Sequence, residues 1–353
     1  RDRKMKKRIT ALFLASIMGI MTLAGCSSAP AETPAEEPAA EETAAESLKI
    51  SMVTDVGGVK DQSFNQSAWE GLEKAKADLG IEIGYIESKQ DADYEPNLET
   101  LVDGENDLIW GVGFKMADAI LAAAGNYPEQ KYAIIDNDYG DATPDNVLGV
   151  LFKEEEPSYL VGLIAGKMTQ SNKIGFIGGM DVPVINRFRF GFLAGVKAAN
   201  PDAVVDVQFV NAFNDPAKGK AVANQMYASG VDIIFHAAGD SGNGAIEAAK
   251  EQNKWVIGVD RDQNDLAPDN VITSAVKRVD NAIYNVAKEL KDGNFAGGTT
   301  IVFGLAEGGV DIAPTTSKNV PADILEFVEA EKQKIINKEI TVPGTEEAFN
   351  SMN

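Results

Sequence analysis

From Leu48 onward, short runs rich in β-branched and aromatic residues alternate with stretches of helical periodicity, and this alternation leaves few folds open. Five strand candidates come first: LKISMVT, EIGYIES, DLIWGVG, KYAIID and VLGVLF. Five more follow: NKIGFIGG, VVDVQFV, VDIIFHAA, KWVIGVD and VITSAV. Strands joined by helices form parallel sheets covered by helices on both faces. Two groups of five strands therefore predict two doubly wound α/β lobes.

Polar, aromatic and glycine residues recur at the points where the predicted strands end. They are Asp55, Gly113, Phe114, Asp136, Gly179, Met180, Phe213, Gly239 and Asp260. In open α/β sheets, ligands bind at the carboxyl ends of the strands, and two such lobes place these ends at one cleft. The recurrence predicts a binding site between the lobes.

The stretch VTDVGGVKDQSFNQSAWEGL contributes several of these groups. Ser63 fits a helix N-cap, and Gln66 three residues later completes the pattern of a capping box. Asp61 is expected to be a solvated residue at the start of that helix, where a negative charge favours the helix dipole. Phe64, in the first turn, is positioned either to begin the core stripe of the helix or to stack on a flat ligand.

Asp55 and Asn65 are candidates for polar contacts with the ligand. A carboxylate accepts hydrogen bonds only, so Asp55 would suit a ligand N–H or O–H, although aspartate also caps turns at strand ends. Asn65 can both donate and accept. The sequence leaves both interpretations of Asp55 open.

The second group of strands offers a matching set. Phe213 lies in a loop after a strand, and two aromatic rings from opposite lobes would sandwich a flat ligand. Asp260 and Lys277 could accept from and donate to neighbouring hydroxyl groups. The glycines of HAAGDSGNG lack the spacing of a phosphate loop, so they indicate close approach of the backbone, at Gly239 above all, to a ligand.

The amino-terminal residues are typical of an exported lipoprotein. Residues 1–25 combine basic residues with the apolar run Ile9 to Leu23, as a signal peptide does. The run ends in LAGC, which resembles the lipobox of bacterial lipoproteins and predicts lipidation of Cys26, the only cysteine. Residues 26–47 are rich in Ala, Pro and Glu and predict an extended tether.

Composition excludes several classes of function. The formal net charge is −22, so the surface repels phosphate backbones, and we expect no nucleic-acid partner. The only histidine, His236, lies in an apolar strand candidate and is expected to be buried. The folded part has no cysteine and no HExxH motif, so we expect no metal, no cofactor and no catalytic residue.

Several motifs together resemble the basic membrane protein family, whose members are lipoprotein receptors that bind purine nucleosides for ABC importers. They are VTDVGGVKDQSFNQSAWEGL, WGVGF, IGGMDVPVINRFRFGFLAGVK, FNDPAKGKAVANQMYASGVDIIFHAAGDSGNGAIEAAKEQ and VIGVDRDQ. The resemblance implies a type I periplasmic-binding-protein fold with a hinge of three crossing segments. It implies an N-terminal lobe of residues 48–151 and 278–300 and a C-terminal lobe of residues 152–277 and 301–353.

The resemblance also implies roles for individual residues. Asp55 and Asn65 would meet the base, and Phe64 and Phe213 would sandwich it. The ribose and the remaining pocket wall would be contacted by Asp260, Lys277, Gly239 and Asp136. The protein would be lipid-anchored at Cys26 on the extracytoplasmic face of the cell membrane and would deliver its ligand to an ABC permease.

Three questions stay open at this stage. The base could be that of inosine, guanosine or adenosine. A simple sugar would also suit aromatic rings and carboxylates, and a nucleoside-processing enzyme is the alternative from a different class. A signalling or adhesion role is compatible with the same sequence.

Overall fold

The computed structural model describes residues 47–352 of the chain. The predicted signal peptide (1–25), the predicted lipidation site Cys26 and the tether up to residue 46 lie outside the described residues. Within residues 47–352, no helix has both the length and the apolar character needed to cross a bilayer.

The first sheet contains six parallel strands in the order β11-β5-β4-β3-β1-β2. Its strands are β1 (Lys49–Thr54), β2 (Glu82–Glu87), β3 (Leu108–Val112), β4 (Lys131–Ile135), β5 (Val147–Phe152) and β11 (Thr299–Phe303). The central strands are almost wholly buried, because helices cover both faces of the sheet. We call this sheet with its helices the first lobe.

The second sheet repeats the same order, β12-β10-β9-β8-β6-β7, with β12 antiparallel to β10. Its strands are β6 (Lys173–Gly178), β7 (Val204–Phe209), β8 (Ile233–Ala237), β9 (Trp255–Asp260), β10 (Val271–Lys277) and β12 (Val310–Ile312). This sheet and its helices form the second lobe.

Helices connect the strands and cover the sheets. They are α1 (Phe64–Leu79), α2 (Tyr94–Asp103), α3 (Ala117–Asn126), α4 (Glu155–Met168), α5 (Pro183–Ala199), α6 (Pro216–Ala228), α7 (Asp240–Gln252), α8 (Val279–Lys291), α9 (Ala322–Ile336) and α10 (Glu346–Asn350). The apolar stripe of α1, including Ala68, Leu72 and Ala75, is buried as its spacing predicts.

All ten predicted strands are present, and each sheet contains one strand more. The additional strands, β11 and β12, lie at sheet edges. β11 is partly exposed along its length, and β12 has three residues. Neither therefore shows the apolar run that marks a buried strand.

The chain passes between the lobes after Phe152, after Lys277 and after Phe303. The crossing segments are hydrogen-bonded to one another, for example from Lys153 N to Phe303 O at 2.9 Å. The expected lobe boundary between residues 300 and 301 falls inside β11. That strand pairs with β5 through Phe303, so residues 301–303 belong to the first lobe, as Phe152 does.

Candidate functional site

A cavity lies between the carboxyl ends of the two sheets, with about 570 Å³ of empty space that includes solvent at its opening. All eight residues predicted from the sequence to contact a ligand line it: Asp55, Phe64, Asn65, Asp136, Phe213, Gly239, Asp260 and Lys277. Residues that are far apart in the sequence are thus brought together at one place.

Asp55 and Asn65 form one wall of the cavity, which we call the amide wall. Asp55 follows β1, and its Oδ1 accepts a hydrogen bond from Gly57 N at 3.0 Å and from Asn65 Nδ2 at 2.7 Å. Burial against the surrounding protein raises the pKa of Asp55 to about 6, although these two hydrogen bonds oppose the shift. Near pH 7 the carboxylate is ionised and acts only as an acceptor.

Asp61 departs from its predicted role as a solvated residue. Its side chain is buried and accepts hydrogen bonds from the backbone N–H groups of Ser63, Asn65 and Gln66 at 2.9 to 3.0 Å. The predicted capping box is absent, because the Ser63 side chain makes no cap hydrogen bond. Asp61 instead satisfies the free N–H groups at the start of α1.

Aromatic rings from both lobes face the cavity. Phe64 lies in the first turn of α1, and Phe213 lies in the loop between β7 and α6. The Phe213 ring packs over Gly179, where a Cβ would come within 2.2 Å of it, so only glycine permits this position. Phe114 lies edge-on to Phe213 at a centroid distance of 6.3 Å. These rings could hold a flat ligand.

Two residues of the cavity lining, Lys277 and Asp136, belong to a group of four alternating charges. We call this group the lysine cluster: Lys277, Asp136, Glu154 and Arg187. Lys277 Nζ lies 2.6 Å from Asp136 Oδ1 and 2.8 Å from Glu154 Oε1. Burial disfavours the charge, but these carboxylates outweigh it and raise the pKa of Lys277. Arg187 pairs with Glu154 at 2.5 Å. The ammonium therefore stays charged although its side chain is only 2% exposed.

Asp260 lies beside the lysine cluster and accepts a hydrogen bond from the Ser63 hydroxyl of the first lobe. Burial raises its pKa to about 7, while Lys277 and Ser63 oppose the shift. Asp260 and Asp136 both have left-handed backbone conformations, with φ of 64° and 66°. Such conformations are uncommon for residues other than glycine and concentrate at functional sites.

Sequence reasoning missed part of the lining. Val184, Ile185 and Phe188 project from the first turns of α5 and line the apolar side of the cavity. The signal was present, because α5 follows the strand end at Gly179 just as α1 follows the strand end at Asp55. Glu154 was missed because it belongs to the run KEEEP, which resembles a solvated segment.

Two predictions about the glycine-rich turn have different outcomes. Gly239 lines the cavity, as expected. Gly242 and Gly244 instead allow close packing inside the lobe, since a Cβ on them would meet His236 and the Pro216 carbonyl at 1.9 Å. His236 is buried, as predicted, and burial lowers its pKa to about 4.

The fold and the interlobe cavity define a class, the two-lobed substrate-binding proteins. A solved solute-binding protein of an ABC transporter system from Aeropyrum pernix K1 matches with a TM-score of 0.79 and 32% sequence identity, over 86% of this chain and 96% of that one. The predicted fold class is confirmed.

The sequence comparisons identify the family. The model for PnrA-like ABC transporter substrate-binding proteins matches residues 48–346, so the chain belongs to that family. It is 38% identical to the ABC transporter nucleoside-binding protein BmpA of Lactococcus lactis subsp. cremoris, over 96% of this chain and 100% of the relative. It is 42% identical to basic membrane protein A of Borreliella burgdorferi, over 85% and 89%.

These matches confirm the family and decide one of the alternatives that the sequence left open. The resemblance to the basic membrane protein family is confirmed. The family consists of substrate-binding components of ABC transporters, which act outside the cytoplasm, so the chain is a receptor and not an enzyme.

Proposed function

We propose that this receptor binds a purine nucleoside between its lobes and delivers it to an ABC permease. The observation that supports the proposal most is the pair of rings, Phe64 and Phe213, which come from opposite lobes and line one cavity with the amide wall. A purine base is flat and carries N–H groups for Asp55 and Asn65. The name of the Lactococcus relative, a nucleoside-binding protein, points the same way.

The ribose would lie at the other end, near Asp260 and the lysine cluster. Asp260 could accept a hydrogen bond from a hydroxyl, while Lys277 provides positive charge beside it. The Lys277 ammonium is paired with Asp136 and Glu154. In this arrangement the main effect of Lys277 is to hold Asp136 in place. Closure on the nucleoside is then a population shift driven by contacts that need both lobes.

Calorimetry on protein stripped of bound ligand tests this function. Inosine, guanosine or adenosine should bind and raise the melting temperature. Phe64→Ala should weaken binding about 5- to 150-fold, because base stacking on an aromatic ring is worth about 1–3 kcal/mol. Binding of ribose with no response to any nucleoside would instead assign the receptor to simple sugars.

We also propose that the receptor is anchored by lipid on Cys26, after removal of residues 1–25, with residues 26–47 as a tether. The LAGC sequence before the folded part supports this. Cys26→Ala should release the protein from the membrane fraction, and mass spectrometry of the wild-type amino-terminal peptide should show diacylglycerol on Cys26. A Cys26→Ala protein that stays with the membrane would contradict the anchor.

A further inference from the structure

Asp61 uses its carboxylate for more than capping α1. Besides the backbone N–H groups, its Oδ2 accepts a hydrogen bond from Asn65 Nδ2 at 3.0 Å. The second hydrogen of that amide goes to Asp55 Oδ1 at 2.7 Å. Both hydrogens of the Asn65 amide are therefore donated to carboxylates.

This arrangement determines which way the Asn65 amide faces. A turned amide would place its oxygen against Asp55 Oδ1 and Asp61 Oδ2, and both of these atoms already accept from backbone N–H groups. With the amide held in this way, Asn65 Oδ1 is buried and has no hydrogen-bond partner among residues 47–352. A buried acceptor without a partner is costly, and here it belongs to a side chain that lines the cavity.

The amide wall thus offers a ligand two acceptors, Asn65 Oδ1 and Asp55 Oδ2. The two side chains are joined by the 2.7 Å hydrogen bond, so their remaining oxygens belong to neighbouring groups of one wall. Neither side chain has a donor left for the ligand. A matching ligand edge carries two neighbouring N–H donors.

We propose that Asp61 fixes the orientation of the Asn65 amide and thereby makes the site selective for a 2-amino-6-oxopurine nucleoside, guanosine, over a 6-aminopurine nucleoside, adenosine. This inference rests on the proposed nucleoside function. The guanine edge carries the N1–H and the exocyclic amine side by side, and hypoxanthine carries only the N1–H. Adenine places the acceptor N1 beside its amine, so one acceptor of the wall meets another acceptor.

Binding constants for stripped wild-type protein give the first test. Guanosine should bind about 5- to 150-fold more tightly than adenosine, with inosine between them, because a buried polar group left unpaired costs about 1–3 kcal/mol. If guanosine and adenosine bind equally, the selectivity is refuted while the nucleoside function stands. If no nucleoside binds, the proposed function itself fails.

The variant Asp61→Asn gives the second test. Its oxygen can still accept from the backbone N–H groups of Ser63 and Gln66. Its N–H₂ takes the place of the Oδ2 that accepts from Asn65 N and Asn65 Nδ2, so the wild-type amide loses its support and the turned amide gains a donor for Asn65 Oδ1. The guanosine-to-adenosine affinity ratio should fall about fivefold or more. Ser63→Ala, in the same turn, removes the bond to Asp260 and leaves the Asp61–Asn65 contact, so it should weaken both nucleosides alike and keep the ratio.

The two variants separate orientation from general damage to the turn. Suppose that the Asp61→Asn variant melts cooperatively, as followed by circular dichroism. If it then keeps the wild-type ratio of guanosine to adenosine affinity, the proposed role of Asp61 is refuted. Should Asp61→Asn fail to fold, the wild-type series of guanosine, inosine and adenosine still decides the selectivity.

Discussion

At the scale of single residues, Asp260 carries a charge that its surroundings disfavour. Burial raises its pKa to about 7, against the opposing effects of Lys277 and Ser63, and Asp61 and Asp136 add to the rise. Between about pH 4 and pH 7 the folded protein therefore holds a proton that the unfolded chain has lost. The contribution of Asp260 to the free energy of unfolding is fully present below about pH 4, and it is lost as the pH rises through 7.

We expect Asp260→Asn to remove the fall in unfolding free energy that Asp260 causes as the pH rises. Asparagine is neutral at every pH and tolerates the left-handed backbone at this position. The unfolding free energy of the variant minus that of the wild type, both without ligand, should rise by about 3 kcal/mol from pH 4.5 to pH 8.5. Urea denaturation at the two pH values measures the change.

Asp202→Asn serves as the control for that experiment. Asp202 is exposed in the turn before β7, so its replacement removes one charge without altering the cavity. Its unfolding free energy should follow that of the wild type at both pH values. If Asp260→Asn also runs parallel to the wild type, the charge of Asp260 is not disfavoured by burial.

Single residues also show where sequence reasoning ends. Asp55 and Phe64 could be predicted because strand ends and first helical turns face the cleft in this architecture. Asp61 could not, since Ser63 and Gln66 offered a capping box in the same turn. The second lobe also contacts this residue, since Asn243 Nδ2 donates to Asp61 O at 2.9 Å, and a local pattern cannot show such a contact.

At the scale of elements, α4 and α5 pack backbone to backbone. A Cβ on Gly195 of α5 would lie 2.1 Å from the Tyr159 carbonyl of α4, and one on Gly191 would lie 2.3 Å from the Glu155 carbonyl. α4 begins at the first crossing segment, and α5 carries Phe188 into the cavity. This contact therefore joins the hinge to one wall of the site.

Gly195→Ala should destabilise the protein by about 1–3 kcal/mol, because the added methyl forces the helices apart. Gly125→Ala is the matched control, since Gly125 is exposed on α3 and a Cβ there meets nothing within 4 Å. The control should be neutral or gain up to about 1 kcal/mol from helix propensity. Denaturation curves that shift equally for the two variants would contradict the close packing.

Elements also differ in how well the sequence predicts them. Strands β1, β3 and β4 are covered on both faces, so their apolar runs are continuous and easily recognised. β12 pairs only through three residues with β10, and its sequence VDI is too short to carry a pattern. Its existence depends on the third crossing segment, which a local pattern does not show.

At the scale of the whole molecule, the lobes bond to each other directly as well as across the cavity. Arg261 after β9 makes two hydrogen bonds with Glu70 of α1, at 2.8 and 3.1 Å. Gln263 Nε2 donates to Gln62 O at 2.9 Å. These contacts join the two lobes and involve residues outside the cavity lining.

Arg261→Ala should therefore speed ligand release about threefold to tenfold, since a partly exposed bidentate pair contributes about 1 kcal/mol. Stopped-flow measurement of nucleoside dissociation tests this. Lys220→Ala is the control, because Lys220 pairs with Glu251 inside the second lobe. An unchanged release rate for Arg261→Ala would show that the pair does not hold the lobes together.

The equal strand orders of the two sheets have a consequence for how this receptor could change its ligand. Asp136 follows β4 and Asp260 ends β9, the third strand in each order, and both have nearly the same φ. The scaffold thus supplies a pseudo-symmetric pair of carboxylates, which by itself cannot tell one end of a ligand from the other. Direction comes from side chains without a counterpart, such as Lys277, which pairs with Asp136, and Ser63, which bonds to Asp260. Redesign towards a new ligand can therefore keep the scaffold and alter these few positions.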